Sequence, residues 1–357
     1  MTDMFEATID LRSDTVTRPD HEMRLAMMRA EVGDNVLDGD PTMRELEHRT
    51  ASMLGMPAAL WTPSGTMANL LALMTHLRRG DRFLAPRDVH ILADEMGTAA
   101  WLAGGMPESM DHDGGPGRPS PDAVRSMCPS PGGGYNELRT TLLCLENTHN
   151  AAGGAVTRPE DHKQLLAAAH ERGLRVHLDG ARLWNAAVAL GLSPSALTAG
   201  VDSVQVCLSK GLGAPVGSVL AGDEEFIRRA RRVRQMLGGG VRQGGVLAAA
   251  GLVALDRVGE LADDHEKARR LASSLADLGW TVNEPETNIV LATVPSVPTV
   301  LAGLERLGVL ASDIDGRVRL VTHRDVSLSM VDDVIHRIGT SSEAIAGNVP
   351  AVQSLGE

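Results

Sequence analysis

Two residues of chemically useful type stand where an apolar run gives way to glycine, Lys210 and Asp179. The stretch Asp202 to Ser218, DSVQVCLSKGLGAPVGS, alternates and then runs apolar through Val204, Val206, Cys207 and Leu208, which predicts a buried strand. It stops at Ser209-Lys210, with Gly211, Gly213 and Gly217 close behind. An ammonium at the mouth of a buried strand loses hydration. That favours the neutral amine, the nucleophile that a Schiff-base lysine needs. Read for stability alone, the segment is equally a lysine capping a strand end beside a glycine turn.

Upstream, Leu174 to Leu183 reads LRVHLDGARL: a second apolar strand ending in Asp179, then Gly180, then a helical start at Arg182. In an open parallel sheet, ligands bind outside the carboxyl ends of the strands, so two such ends would bring Asp179 and Lys210 into one crevice. A lysine that binds an aldehyde and an aspartate that partners a pyridinium nitrogen are the two protein groups that pyridoxal phosphate (PLP) requires. HLDGARLWNA followed by CLSKGLGAPVGS closely resembles the threonine aldolase and β-eliminating lyase family of PLP-dependent enzymes.

With that resemblance in view, several other stretches gain a second meaning. IDLRSDTVTRP, Ile9 to Pro19, reads alone as a polar turn before a helix; the resemblance implies that Ser13 contacts the substrate carboxylate. Pro63-Ser64-Gly65-Thr66 lies between a strand at Ala58 to Trp61 and a helix from about Thr66 to Leu77. Such a turn is an ordinary N-cap and also an anion cradle, since free N–H groups and the helix dipole favour negative charge. In a PLP reading, Gly65 and Thr66 hold the cofactor phosphate. His90 follows a short strand, Asp81 to Pro86, and the resemblance implies that its imidazole stacks on the pyridine ring beside the substrate β-oxygen.

The resemblance further implies catalytic Lys210, His90 and Asp179, cofactor contacts from Ser209, Arg182 and Arg242, and a carboxylate clamp of Arg182 and Arg319 with Ser13. Arg242 lies in GGGVRQ, and Arg319 in RVRLVTH, where the bare pattern gives only an edge-strand arginine. A bidentate guanidinium suits a carboxylate. Three positions depart from the family pattern around the expected pocket: Leu37 for an aromatic residue, Asn136 for a histidine and Gln235 for a lysine. Asp111-His112-Asp113 offers metal-ligand types, but a solvated acidic loop accounts for it, and no metal is expected.

The elements that must position these groups alternate strand and helix. A loop rich in proline and glycine at Asp111 to Gly134 holds a short helix, and Arg158 to Arg172 forms the crossover of a βαβ unit. Beyond about Asp256 the pattern becomes that of a small α+β domain. The resemblance implies fold type I: a large α/β domain with a mainly parallel seven-stranded sheet (1–255, with the N-terminal arm), a small C-terminal α+β domain (256–340), and a loose tail at 341–357.

Composition bounds the partners. The 357 residues carry a net charge of -12 without a basic block, which argues against nucleic acid and anionic membranes. The apolar run Val246 to Leu255 is too short for a bilayer, and MTDMFEATIDL lacks the pattern of a secretory signal. Cys128, Cys144 and Cys207 cannot all pair, which suits a cytoplasmic protein. The expected function is aldol cleavage of L-threonine or a related β-hydroxy-α-amino acid, by a homo-oligomer (dimer or tetramer) with shared sites. The alternatives are another PLP reaction on such a substrate (β-elimination, racemisation or aldol transfer) and a PLP-binding protein without turnover.

Overall fold

In the computed structural model, which describes residues 8–37, 39–128 and 135–341, the apolar runs assemble into one seven-stranded sheet. Its order is Ala58–Thr62, Ser218–Gly222, Ser203–Cys207, Arg175–Gly180, Thr140–Glu146, Arg82–Pro86 and Met106–Met110. Ser218–Gly222 runs against both neighbours, and the remaining pairings are parallel. Every residue of Ser203–Cys207 and of Ser218–Gly222 is buried. Helices on both faces of a sheet bury its central strands. Val219, Leu220 and Ala221 run apolar for that reason, whereas in Ser203–Cys207 the buried polar Ser203 and Gln205 alternate with Val204 and Val206.

Helices carry the chain between strands. Pro159–Glu171 connects Thr140–Glu146 to Arg175–Gly180, and Gly65–His76 leaves the edge strand Ala58–Thr62. The start of each helix is set locally. Asp40, Ser64, Ser120 and Asp223 each accept the backbone N–H three residues on and so cap Pro41–Met53, Gly65–His76, Pro121–Met127 and Glu224–Met236. One apolar cluster, including Leu46, Trp61, Val204 and Leu183, covers one part of the sheet; Leu73, Phe83 and Leu142 belong to another. The strand Met106–Met110 and the helix Gly245–Asp256 had no counterpart among the elements read from the sequence.

Thr17–Ala262 form one compact unit, and the described residues 8–16 belong with those from 263 onward in a second. Placing the arm here differs from the sequence reading, which joined it to the large domain. The reason is backbone pairing and burial: Ile9–Asp10 pairs in parallel with Val309–Leu310, Val321 N donates to Leu11 O at 2.8 Å, and Ile9 and Leu11 are buried among Leu271, Val290 and Leu320. The second unit also holds an antiparallel sheet in the order Ser312–Ile314, Arg317–Val321, Ile289–Thr293, Thr281–Val282, together with helices Val297–Arg306 and Leu328–Thr340. The tail read as loose lies, from residue 342, outside the described residues, as do 129–134 of the proline- and glycine-rich loop.

Candidate active site

Parallel register builds the site in rows. Glu146 pairs with Asp179 and Asp179 with Gln205, so three polar side chains from neighbouring strands line one face near the carboxyl ends. Two residues earlier on the same face, Cys144, His177 and Ser203 make a second row. Asn69, from the middle of helix Gly65–His76, spans both rows. Its Nδ2 donates to Asp179 Oδ2 at 2.7 Å, and its Oδ1 is 3.0 Å from His177 Nε2.

Asp179 is buried, 3% exposed. Besides Asn69, the Gln205 amide and the Ala181 N–H (3.0 Å) donate to its carboxylate. Burial by itself would push its proton affinity up. The charges of His90 and Lys210, with the Asn69 and Ala181 hydrogen bonds, outweigh that and hold the carboxyl below its usual range. Asp179 is therefore an anion at neutral pH.

Lys210 lies three residues past the end of strand Ser203–Cys207 and is half-buried. Its carbonyl accepts from Thr17 Oγ1 at 2.8 Å and from Gly213 N at 2.9 Å, which fixes the turn that carries the amine. The turn closes at Gly217, φ +113°, where a Cβ would come within 2.4 Å of Trp61 Nε1. A side chain is excluded there both by backbone conformation and by space. Ser209 Oγ lies 3.4 Å from Gly217 O in the same turn.

His90 opens a short helix just beyond strand Arg82–Pro86. Its Nδ1 is 2.9 Å from Glu95 Oε1, and its backbone N–H donates to Glu146 Oε2 at 2.7 Å. The Glu95 hydrogen bond raises the imidazole's proton affinity against the opposing effect of burial, and Asp179 adds to it. Atoms of His90, Glu95 and Asp179 lie within 4.8 Å of one another. Glu146, fully enclosed, also accepts from Asn150 N at 2.7 Å, and burial beside Asp179 pushes its pKa up to about 7.

Arg182, 4% exposed, donates from Nη1 to Asn150 Oδ1 at 3.0 Å. Gly65 and Thr66 form the first turn of their helix behind the Ser64 cap, where N–H groups lack intrahelical acceptors. Arg242 is exposed and paired with Asp34 at 3.4 Å. In the second unit, Ser13 Oγ accepts from Thr15 Oγ1 at 2.9 Å, and Arg319, 8% exposed, donates from Nη1 to Arg12 O at 3.1 Å. Leu37 is 76% exposed. Gln235 is exposed and lies against Gly240. Asn136 is exposed and precedes the amino end of strand Thr140–Glu146, whereas Glu146 closes its carboxyl end. That amide therefore stands at the opposite end of the strand from the cluster.

Sequence reading missed Asn69, Glu95 and Gln205 and gave Glu146 no separate task. The signal was there in part: Gln205 and His177 are polar residues inside runs that otherwise read as buried, and Asn69 interrupts the apolar MANLLALM. A buried polar side chain needs a partner, so each such interruption marks a network.

These groups fit PLP on the chemistry of the donor set and on space. An anionic carboxylate faces a lysine's field, and a helix N-terminus lies next to them. A Cβ at Gly65 would stand 3.0 Å from Cys207 Sγ and 3.5 Å from the Gln205 amide, so glycine lets this cradle lie close against the strand beside Asp179 where a side chain would be tight.

Known proteins are similar to this chain over most of its length. The family described as "Beta-eliminating lyase" matches residues 10–296. The chain is 42% identical to a low specificity L-threonine aldolase of Escherichia coli K12 over 331 residues, covering 91% of this chain and 97% of that one. It is 42% identical to low-specificity L-threonine aldolase 1 of Arabidopsis thaliana over 339 residues, covering 92% and 94%. A solved threonine aldolase of Leishmania major superposes with a TM-score of 0.79 at 19% identity, covering 92% and 98%, which speaks for the fold. The chain belongs to the β-eliminating lyase family, in its threonine aldolase group, with the fold type I architecture of PLP-dependent enzymes.

Proposed function

We propose that this chain is a PLP-dependent aldolase that reversibly cleaves L-threonine or a related β-hydroxy-α-amino acid to glycine and an aldehyde. The observation that carries the reading is Asp179, held anionic at the end of one parallel strand while Lys210 extends from the end of the next. The Lys210 amine would hold the cofactor's aldehyde carbon, Asp179 its ring nitrogen, and Gly65 and Thr66 with Ser209 its phosphate. Bound in this way, PLP supplies an electron sink for the pair released when a bond at Cα breaks.

The chain's own groups decide which bond that is. Arg182, braced by Asn150, is suited to grip the substrate carboxylate with its planar fork and so fix the rotation about the Cα–N bond. For Ser13 and Arg319 we propose the same carboxylate role. Support within their own unit is that the Arg319 guanidinium holds Arg12 O, the carbonyl directly before Ser13. His90 takes the proton of the β-hydroxyl, the step that lets an aldehyde leave. Arg242 is proposed as a phosphate contact. We further propose a homo-oligomer with shared sites, favoured by the 91% and 75% exposure of Met96 and Trp101. A cytoplasmic location is also proposed; it agrees with three free, buried cysteines, and no helix of the described residues is long and apolar enough to cross a membrane.

The test is incubation of purified protein with a panel of β-hydroxy-α-amino acids. Glycine with the matching aldehyde supports aldol cleavage. Pyruvate or 2-oxobutyrate without glycine replaces it with elimination.

A further inference from the structure

Glu95 is 1% exposed, and its carboxylate is shared unevenly. Oε1 receives both His90 Nδ1 at 2.9 Å and Asn69 Nδ2 at 2.8 Å, whereas Oε2 is buried without a hydrogen-bond partner among the described residues. The proton positions follow link by link. Asn69 Nδ2 faces two carboxylates, Glu95 and Asp179, so the amide oxygen must face His177, whose Nε2 then carries a proton. His177 Nδ1 is left as an acceptor for the Ser203 hydroxyl at 2.8 Å, and Ser203 Oγ in turn accepts from His76 Nε2 at 2.8 Å. Burial keeps both of these histidines neutral at pH 7, with His177 lowered to about 4 and His76 well below its usual value. The chain from His76 to Asn69 is thus locked in one direction, and it holds the Asn69 amide toward the two carboxylates.

We infer that Glu95 is a positioning residue for His90: it accepts the Nδ1–H, fixes that tautomer, and leaves Nε2 as the lone pair that takes the substrate's β-hydroxyl proton, with Asn69 holding Glu95 in place. His90 Nε2 makes no hydrogen bond among the described residues, and the side chain is 33% exposed. This arrangement follows the orienting logic of a carboxylate behind a catalytic histidine. The inference rests on the aldolase reading for the identity of the proton donor, but not for the coupling of Glu95 to His90.

The charged groups facing His90 are Glu95 from its own segment, Asp179 and Glu146 from neighbouring strands, and Lys210 from the turn after the next one. Glu95 and Asp179 raise its affinity for a proton, and Lys210 lowers it. Glu95→Gln keeps an acceptor oxygen and removes the charge. Glu95→Leu removes both.

Imidazole 15N NMR of the PLP-loaded protein, with His90→Asn used for assignment, reads the tautomer and the titration midpoint directly. The expected wild-type result is a neutral His90 protonated on Nδ1. In Glu95→Gln its midpoint falls by about one pH unit or more, and the acid limb of kcat/KM for β-hydroxy amino acid cleavage moves down with it. Glu95→Leu lowers kcat more than it changes KM. A wild-type His90 protonated on Nε2, which needs no variant to observe, overturns the inference; so does a midpoint unmoved in Glu95→Gln. If the NMR shift is found while no substrate yields glycine, the aldolase reading fails and the Glu95–His90 coupling stands.

Discussion

Glu146 and Asp179 are paired in register on adjacent parallel strands, yet their environments drive the two carboxyl groups apart. Asp179 has side-chain donors and lies in the field of His90 and Lys210, and it is held below the usual carboxylate range. Among the described residues Glu146 has only backbone N–H donors, in a buried position beside that negative charge, and it rises from 4.5 to about 7. Neighbouring carboxyl groups with opposite shifts can divide acid and anion roles between them.

The Glu146 shift has a stability consequence with a definite sign. Between about pH 4.5 and 7 the folded state binds this proton more tightly than the unfolded chain does, so unfolding releases it and stability falls as pH rises through that window. Glu146→Gln does not titrate. Denaturant melts at several pH values should therefore show wild type losing stability relative to Glu146→Gln from pH 4.5 to 7.5, by on the order of 1 kcal/mol or more. A constant difference across that range would mean Glu146 titrates normally.

Lys210→Ala should fold, lose the visible absorbance of the bound cofactor and lose turnover. Borohydride treatment of wild type should fix the cofactor covalently, and the same treatment of the variant should not. Cofactor fixed in Lys210→Ala would identify a different lysine.

Asp179→Asn replaces an acceptor-only anion by an amide whose NH2 group must face a donor, either Asn69 or Gln205. Activity should drop by about a hundredfold or more, equivalent to about 2.7 kcal/mol of transition-state stabilisation, with the thermal transition kept. Steady-state kinetics near the wild-type values would assign Asp179 to the fold alone.

Gly65→Ala places a methyl group 3.0 Å from Cys207 Sγ, in the cradle proposed for the phosphate. The expected outcome is about a tenfold weaker hold on PLP, about 1.4 kcal/mol, measured by dialysis and cofactor reconstitution. Unchanged retention would remove Gly65 from the phosphate site.

Arg319→Lys keeps the charge and loses the planar fork. If Arg319 grips a carboxylate, kcat/KM falls by about tenfold or more, and the amino alcohol matching a good substrate is not cleaved. Normal kinetics would leave Arg319 as a clamp on the Arg12 carbonyl alone.

The strand and helix alternation was legible because it is local. Apolar runs, N-caps such as Ser64 and Asp223, and glycines behind strand ends act within a few residues of themselves. Lys210 and Asp179 could be named for the same reason, since each stands beside a turn at the end of its own strand. The sequence reading stopped where register begins. Glu146, Asp179 and Gln205 share a row because three parallel strands align, and no single segment contains that alignment. Asn69 bridges two carboxylates 26 and 110 positions away, and its helix takes that rotation only when packed on the sheet. The fate of the arm was likewise settled by distant pairing: Ile9–Asp10 has too few residues to show a period and is a strand only because Val309–Leu310 offers its edge. Residue types and their order along the chain determined the candidate chemistry. Which carboxylate is an anion, which rises toward neutrality and which histidine it faces were decided by burial and neighbours, and these exist only once the sheet has formed.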